Sequence, residues 1–141
     1  MRTASVLQKV VFFAACGWLT LMACLATATK YKAPANEVAL LPQFCWAQYM
    51  DNVEGPEYSI PSAECGVAMN HYCPALLELI EAKRSVGTKA RERAGHLNVA
   101  HKEVMYTLNS MTNYPNCPIR SHAESTLKEV EALQKMLPRH H

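Results

Sequence analysis

Four cysteines constrain the fold of this 141-residue chain more than any other feature. They follow an apolar N-terminal segment that itself contains two more cysteines, and they are Cys45, Cys65, Cys73 and Cys117. In an exported chain an even number of cysteines predicts disulfides, and four cysteines allow three pairings. The first question is therefore whether the N-terminal segment directs export.

Residues 1–28 have the layout of a secretory signal peptide. Arg2 and Lys9 precede an uncharged apolar run, and residues 26–28 (ATA) offer the small side chains that signal peptidase requires. The run is about 16 residues long, which is short for a membrane span of roughly 20. We predict cleavage after Ala28. Two alternatives stay open: LMAC resembles a bacterial lipobox that would make Cys24 a lipidated first residue, and an uncleaved segment would form a single-span anchor.

The part of the chain after residue 28 is formally neutral. Arg2 and Lys9 account for the difference between the 14 Lys/Arg and the 12 Asp/Glu of the whole chain. A neutral domain has no electrostatic preference for nucleic acid. We predict a polar linker over residues 29–37 and one domain over residues 38–141. The predicted location is the periplasm or another exported site, with membrane contact only through the signal or a lipid anchor.

Apolar side chains recur at helical spacing in three segments after residue 62. The first segment contains Met69, Cys73, Leu76, Leu77 and Ile80; the second contains Ala94, Leu97, His101, Val104, Leu108 and Met111; the third contains Ala123, Leu127, Val130, Gln134 and Leu137. No strand pattern of useful length competes with them. We therefore predict an all-α fold with three main antiparallel helices and an N-terminal segment held by disulfides. Pro74 inside the first segment predicts a kink or break there.

The strings LPQFC, MNHYCPALL and NCPIR resemble those of uncharacterised exported bacterial proteins of the tetratricopeptide-like helical-hairpin type. Two antiparallel helices, a proline just after the second and another helix directly afterwards give the same layout. The resemblance covers roughly residues 40–137. It implies a helical-hairpin fold, an exported location and a role in protein interaction, and it implies no catalytic residue.

Helix geometry limits the disulfide pairing. If residues 62–73 form a continuous helix, Cys65 and Cys73 are separated by about 12 Å of helical rise. A disulfide joins Cα atoms about 4.4–6.8 Å apart. This pair can then form only if the helix is broken between them.

The hairpin favours one of the remaining pairings. Its turn lies near Gly87, so positions equally far from that residue face each other across the two helices. Cys117 follows the second helix and therefore lies nearer to Cys65 than to Cys73. This favours Cys65–Cys117 together with Cys45–Cys73, and the other two pairings stay open.

The stretch CGVAMNHYC raises the possibility of a metal site. Cys65, Met69, His71 and Cys73 are soft ligands that suit zinc or copper. However, the spacings typical of zinc, haem and thiol-redox motifs are absent, and oxidised cysteines supply no thiolate. We predict no cofactor, and we keep a metal- or cofactor-binding protein using His71 with Met69 or free cysteines as the alternative function. No nucleophile motif indicates an enzyme.

Two groups of side chains are candidates for partner binding. Lys83, Arg84, Lys89, Arg91 and Arg93 cluster at the predicted hairpin tip, either as a solvated turn or as a contact for an acidic partner or lipid headgroups. Trp46, Tyr49 and Tyr72 either belong to the core or line a groove between the N-terminal segment and the helices. The favoured function is a small protein-interaction or scaffold module of the bacterial envelope, whose partner is an envelope protein or peptide.

Overall fold

The computed structural model describes residues 31–85 and 90–138, and within these ranges it contains helices and no strand. The described residues form six α-helices: α1 (Ala35–Val38), α2 (Trp46–Tyr49), α3 (Ser62–Cys65), α4 (Tyr72–Arg84), α5 (Ala90–Ser110) and α6 (Arg120–Lys135). Short 3-10 turns occupy Gln43–Cys45, Pro56–Tyr58, Val67–His71 and Met111–Asn113. The predicted all-α class is confirmed. The predictions for the signal peptide, Cys24 and Lys89 lie outside the described residues.

Helices α4 and α5 form an antiparallel hairpin with the predicted register. His71 Nδ1 lies 2.6 Å from Glu103 Oε2, and His96 Nδ1 lies 2.7 Å from Glu78 Oε2. The two members of each pair are equally far along the chain from Gly87. The position of the turn in the sequence therefore determines which residues meet across the hairpin.

Helix α6 returns along α5 and completes a three-helix arrangement. At one end Gln134 Nε2 donates to the carbonyl of Leu97 at 3.4 Å, and at the other Arg120 donates to the carbonyl of Met111. The end of α6 therefore lies beside the first half of α5, and the start of α6 lies beside the end of α5, so the two helices are antiparallel. In the ranges that the structure describes, no helix is long and apolar enough to cross a membrane.

The buried face of α5 differs from the predicted one by a small rotation. Its buried side chains are Leu97, Ala100, Val104 and Thr107, and Met111 is buried in the 3-10 turn directly after the helix. His101 and Leu108, which we placed on this face, are only half-buried. The imidazole of His101 is instead directed to Glu131 on α6, at 3.9 Å. The small side chains of Ala100 and Thr107 allow the neighbouring helices to approach closely, which a search for large apolar residues does not detect.

The predicted kink at Pro74 is wrong. Pro74 lies in the first turn of α4, where the missing N–H would have had no partner within the helix. The helical path breaks earlier, at Gly66, whose φ of 87° lies in the left-handed region. Residues 62–73 are therefore two elements joined by a 3-10 turn, not one continuous helix.

Helical structure begins inside the range predicted as a linker. Helix α1 starts at Ala35, and Glu37 Oε1 lies 3.3 Å from Arg84 Nη1 at the end of α4. Val38, the last residue of α1, is buried. Its apolar side chain packs against the helices at the predicted start of the domain, and residues 35–37 of the same helix precede that start.

The core divides into two clusters along the long helices. We call residues 41–76 and 104–126 the disulfide-linked end, because its buried cluster contains all four cysteines together with Tyr72, Val104 and Met111. We call residues 79–85, 90–100 and 128–138 the hairpin-tip end, where Leu79, Ala82, Leu97, Ala100 and Val130 pack together. The candidate site lies at the disulfide-linked end.

Candidate functional site

Two disulfides join distant segments at the disulfide-linked end. Cys45 bonds Cys73 with Cα atoms 5.6 Å apart, and Cys65 bonds Cys117 with Cα atoms 4.7 Å apart. This is the pairing that the hairpin register favoured. All four cysteines are buried. The first disulfide attaches the N-terminal segment to α4, and the second attaches α3 to the segment between α5 and α6.

A groove of about 290 Å³ opens between these attached segments. Phe44, Ala47 and Gln48 of the N-terminal segment line one side, and residues 59–70 supply the other side with Ser59, Ile60, Ser62, Gly66, Val67, Met69 and Asn70. Each side carries a disulfide cysteine next to a lining residue, Cys45 beside Phe44 and Cys65 beside Gly66. The covalent links therefore hold both sides in place. None of the lining side chains is charged.

Gly66 shapes one side of the groove. A Cβ atom at this position would lie 2.7 Å from Cε2 of Tyr114, closer than real contacts allow. The residue also has a positive φ, which an L side chain rarely adopts. Only glycine allows the chain to turn here while the Tyr114 ring packs against its backbone. The next residue, Val67, is 88% exposed at the edge of the groove.

Polar and aromatic contacts fix the N-terminal side relative to the rest. Gln48 Nε2 donates to the carbonyl of Asn70 across the groove at 2.7 Å. Trp46 stacks on Tyr58 with ring centroids 5.9 Å apart, and its Nε1 donates to the carbonyl of Leu41 at 3.1 Å. Trp46 therefore connects two irregular segments from behind the groove and does not line it.

The other two predicted aromatic residues also lie outside the groove. Tyr49 is half-buried, and burial, followed by the neighbouring Tyr31, raises the pKa of its phenol. Tyr72 is fully buried, so of the two roles considered for it the core role is the one the structure supports. It is the first residue of α4, directly before Cys73, and its side chain faces α6 in the core. The aromatic residue that does line the groove is Phe44, which packs at 6.3 Å from the Tyr72 ring.

The buried phenol of Tyr72 is satisfied by two side chains of α6. Its hydroxyl lies 2.8 Å from Thr126 Oγ1 and also contacts His122 Nδ1. The Thr126 hydroxyl donates its proton to the carbonyl of His122 at 3.0 Å. Its oxygen can then only accept a hydrogen bond, so the Tyr72 hydroxyl is the donor to it. Burial raises the pKa of Tyr72 to about 12. Residues this far apart in sequence give no periodic signal, so the sequence did not indicate this network.

The predicted basic cluster is partly neutralised by acidic neighbours. Lys83 Nζ lies 2.7 Å from Glu129 Oε1, and Arg84 Nη1 lies 2.7 Å from Glu81 Oε1 in addition to its contact with Glu37. Of the other two predicted cations within the described ranges, Arg91 is exposed and Arg93 is half-buried. Lys83 and Arg84 therefore stabilise contacts between elements of the domain and offer little free charge to an acidic partner.

The candidate metal ligands are already engaged. His71 is held by Glu103, and its ring lies 4.5 Å from that of Tyr106. Met69 is buried in the core, and the four cysteines within the described ranges are all in disulfides. The thiolates required by a cysteine-ligated site are therefore gone. In the part of the chain that the structure describes, no three His, Cys, Asp or Glu residues form a group that could hold a metal ion.

Comparison with known proteins adds no functional assignment to this geometry. No protein-family model, curated protein or solved structure matches the chain.

Proposed function

We propose that this chain is a small exported helical module that binds a segment of another protein of the bacterial envelope in the groove between residues 43–48 and 59–70. The two disulfides support the exported location, because such bonds persist in oxidising compartments. They are also consistent with the predicted signal peptide. The interaction role agrees with the implication of the resemblance to exported helical-hairpin proteins.

The observation that carries the proposal is a preformed groove whose two sides are each covalently held. Phe44, Ile60 and Met69 give it apolar surface, and Gln48 and Asn70 supply polar groups. A site that is rigid before binding loses less conformational entropy when a ligand enters. Its volume of about 290 Å³ is at the low end of the roughly 300–1,000 Å³ typical of small-molecule sites. It suits one or two apolar side chains of a peptide better than a whole cofactor.

Site-specific photocrosslinking in intact cells tests this proposal. Val67, which is 88% exposed at the edge of the groove, is replaced by a photoreactive phenylalanine analogue. The matched control is the same replacement at Met136, which is 72% exposed at the hairpin-tip end. We expect a discrete crosslinked product from position 67 and none from position 136. Mass spectrometry of the product identifies the captured segment.

The purified partner segment then binds the wild-type protein and fails to bind the Val67→Asp variant. Because this side chain is exposed, the variant keeps the wild-type thermal midpoint, and that measurement is the control for folding. Equal crosslinking from both positions, or none from position 67, would contradict the proposal.

A further inference from the structure

The charges of this chain are separated between its two ends. No Lys or Arg occurs between Lys32 and Lys83, whereas the same stretch contains seven acidic residues, Glu37, Asp51, Glu54, Glu57, Glu64, Glu78 and Glu81. Its one histidine, His71, is paired with Glu103. The formally neutral domain is therefore acidic over the segment that builds both sides of the groove.

Several of these acidic residues lie next to groove-lining positions. Glu57 precedes Ser59 by two residues, and Glu64 follows Ser62 by two. Both side chains are exposed, as is Glu54 in the same loop. Within the ranges that the structure describes, no Lys, Arg or His forms an ion pair with Glu54, Glu57 or Glu64. An uncharged, partly apolar groove therefore has, within two residues of its lining, exposed carboxylates without an ion pair in the described ranges.

We infer that the segment bound in the groove is cationic and amphipathic, with an apolar side chain in the groove and Lys or Arg residues directed to Glu57 and Glu64. This inference rests on the proposed function and names the chemistry of its partner. Complementary charge at the edge of an interface accelerates association and rejects partners of the wrong sign. Burial of the apolar side chain supplies affinity that charge alone does not provide in water.

A second copy of this chain is a less suitable source of the cations. Two cations of its basic hairpin tip, Lys83 and Arg84, are already paired with Glu129 and Glu81. Breaking those contacts costs part of the energy that the new contacts would return. The pairing of these two cations within the chain therefore favours a basic segment of a different protein.

Three synthetic peptides of equal length test the chemistry with the purified, oxidised protein. One alternates Lys with Leu, one alternates Glu with Leu, and one alternates Lys with Ser. By fluorescence polarisation at about 0.01 M salt, where surface charges are weakly screened, we expect only the Lys/Leu peptide to bind. At about 0.5 M salt its affinity falls, by roughly tenfold or more. Binding of the Lys/Ser peptide with equal affinity would overturn the inference, because the groove would then contribute nothing.

Single charge reversals locate the binding surface. Glu64→Lys removes an attraction and adds a repulsion, so we expect roughly fivefold weaker binding of the Lys/Leu peptide. Glu124→Lys is the matched control: Glu124 is an exposed glutamate on α6, outside the groove lining. It makes the same change in net charge and should leave the affinity within roughly twofold. Equal weakening by both reversals would overturn the inference in favour of non-specific attraction.

The crosslinking experiment distinguishes failure of this inference from failure of the proposed function. Capture of an acidic or uncharged segment at position 67 would support the groove as a binding site and overturn its cationic occupant. Capture of a second copy, with a mass in solution that rises with concentration, would do the same. Capture of a Lys- or Arg-containing segment that competes with the Lys/Leu peptide would support both.

Discussion

At the disulfide-linked end, short helices and 3-10 turns with no common periodicity are joined by two covalent links, whereas at the hairpin-tip end α4, α5 and α6 pack as regular helices. Side-chain burial between helices stabilises the hairpin tip, where Leu97, Ala100 and Val130 are fully buried. The irregular end has short elements that would be marginal alone. Its shape depends on contacts between residues far apart in sequence.

This difference indicates where a binding site can be built. Regular helices bury their apolar faces against one another and leave polar faces outside. The irregular segments leave apolar side chains such as Phe44 and Ile60 lining an open groove, because the disulfides hold the backbone without requiring complete burial. Under the proposed function, the disulfide-linked end therefore supplies the binding groove and the hairpin-tip end contributes stability.

The largest expected effect comes from removing a disulfide. The two bonds span sequence separations of 28 and 52 residues. In the chain-entropy model, loops of this size are worth roughly 4 kcal/mol each. We expect Cys45→Ser/Cys73→Ser and Cys65→Ser/Cys117→Ser each to lower the free energy of unfolding by about that amount, measured by urea denaturation.

Amide hydrogen exchange separates the two ends in the same variants. We expect protection to fall in residues 43–70 and to persist in the central turns of α5, because exchange follows the stability of local units. An equal loss of protection at both ends would show that the disulfides stabilise the domain uniformly, and the proposed contrast between the ends would be wrong.

The register of the α4–α5 hairpin was largely predictable because helical periodicity and the turn position determine it. Knowledge of the turn near Gly87 was enough to place His71 opposite Glu103 and Glu78 opposite His96. The same register brings the segment after α5 near the start of the hairpin. The pairing of Cys65 with Cys117 follows from this register. The other argument used for the pairing, a continuous helix over residues 62–73 that would keep Cys65 and Cys73 apart, does not hold, because the helix is broken at Gly66.

The groove was less predictable because its contacts have no sequence period. Lining a groove beside the N-terminal segment was one of the two roles predicted for Trp46, Tyr49 and Tyr72. A groove lies there, but these three residues do not line it. Trp46 pairs with Tyr58, and the Tyr114 ring packs on Gly66. Such pairs depend on the mutual position of irregular segments, which composition and spacing do not specify.

Alanine at two glycines is expected to have opposite effects at the two ends. Gly66→Ala forces a side chain into a positive φ and against the Tyr114 ring, so we expect destabilisation of about 2 kcal/mol. Gly95→Ala lies within α5 with nothing within 4 Å of the new Cβ. There alanine favours the helix and should stabilise the domain by about 0.5–1 kcal/mol. Urea denaturation of both variants measures the pair, and two shifts of the same sign would contradict this account.

The smallest destabilisation at neutral pH is expected from Tyr72→Phe, which leaves Thr126 and His122 without the phenol hydroxyl. Loss of one buried hydrogen-bonding group costs about 1 kcal/mol. Tyr106→Phe is the matched control, because Tyr106 is 52% exposed and contacts His71 through its ring. Thermal unfolding near pH 7 should show a lower midpoint for the first variant only.

Alkaline pH extends this prediction to the contrast between the ends. The pKa of Tyr72 is about 12 in the folded protein against 10.0 for an ordinary tyrosine, because burial disfavours the phenolate. Above pH 10 the unfolded chain loses this proton first. The contribution of the Tyr72 phenol to the free energy of unfolding is therefore complete below pH 10 and is lost as the pH rises toward 12.

Burial raises the pKa of Tyr49 as well, and both tyrosines lie at the disulfide-linked end. We expect the near-ultraviolet signal of Trp46 to change before the helical signal between pH 10 and pH 12. The wild-type protein should also lose stability more steeply than Tyr72→Phe, and equal slopes would show that Tyr72 titrates normally.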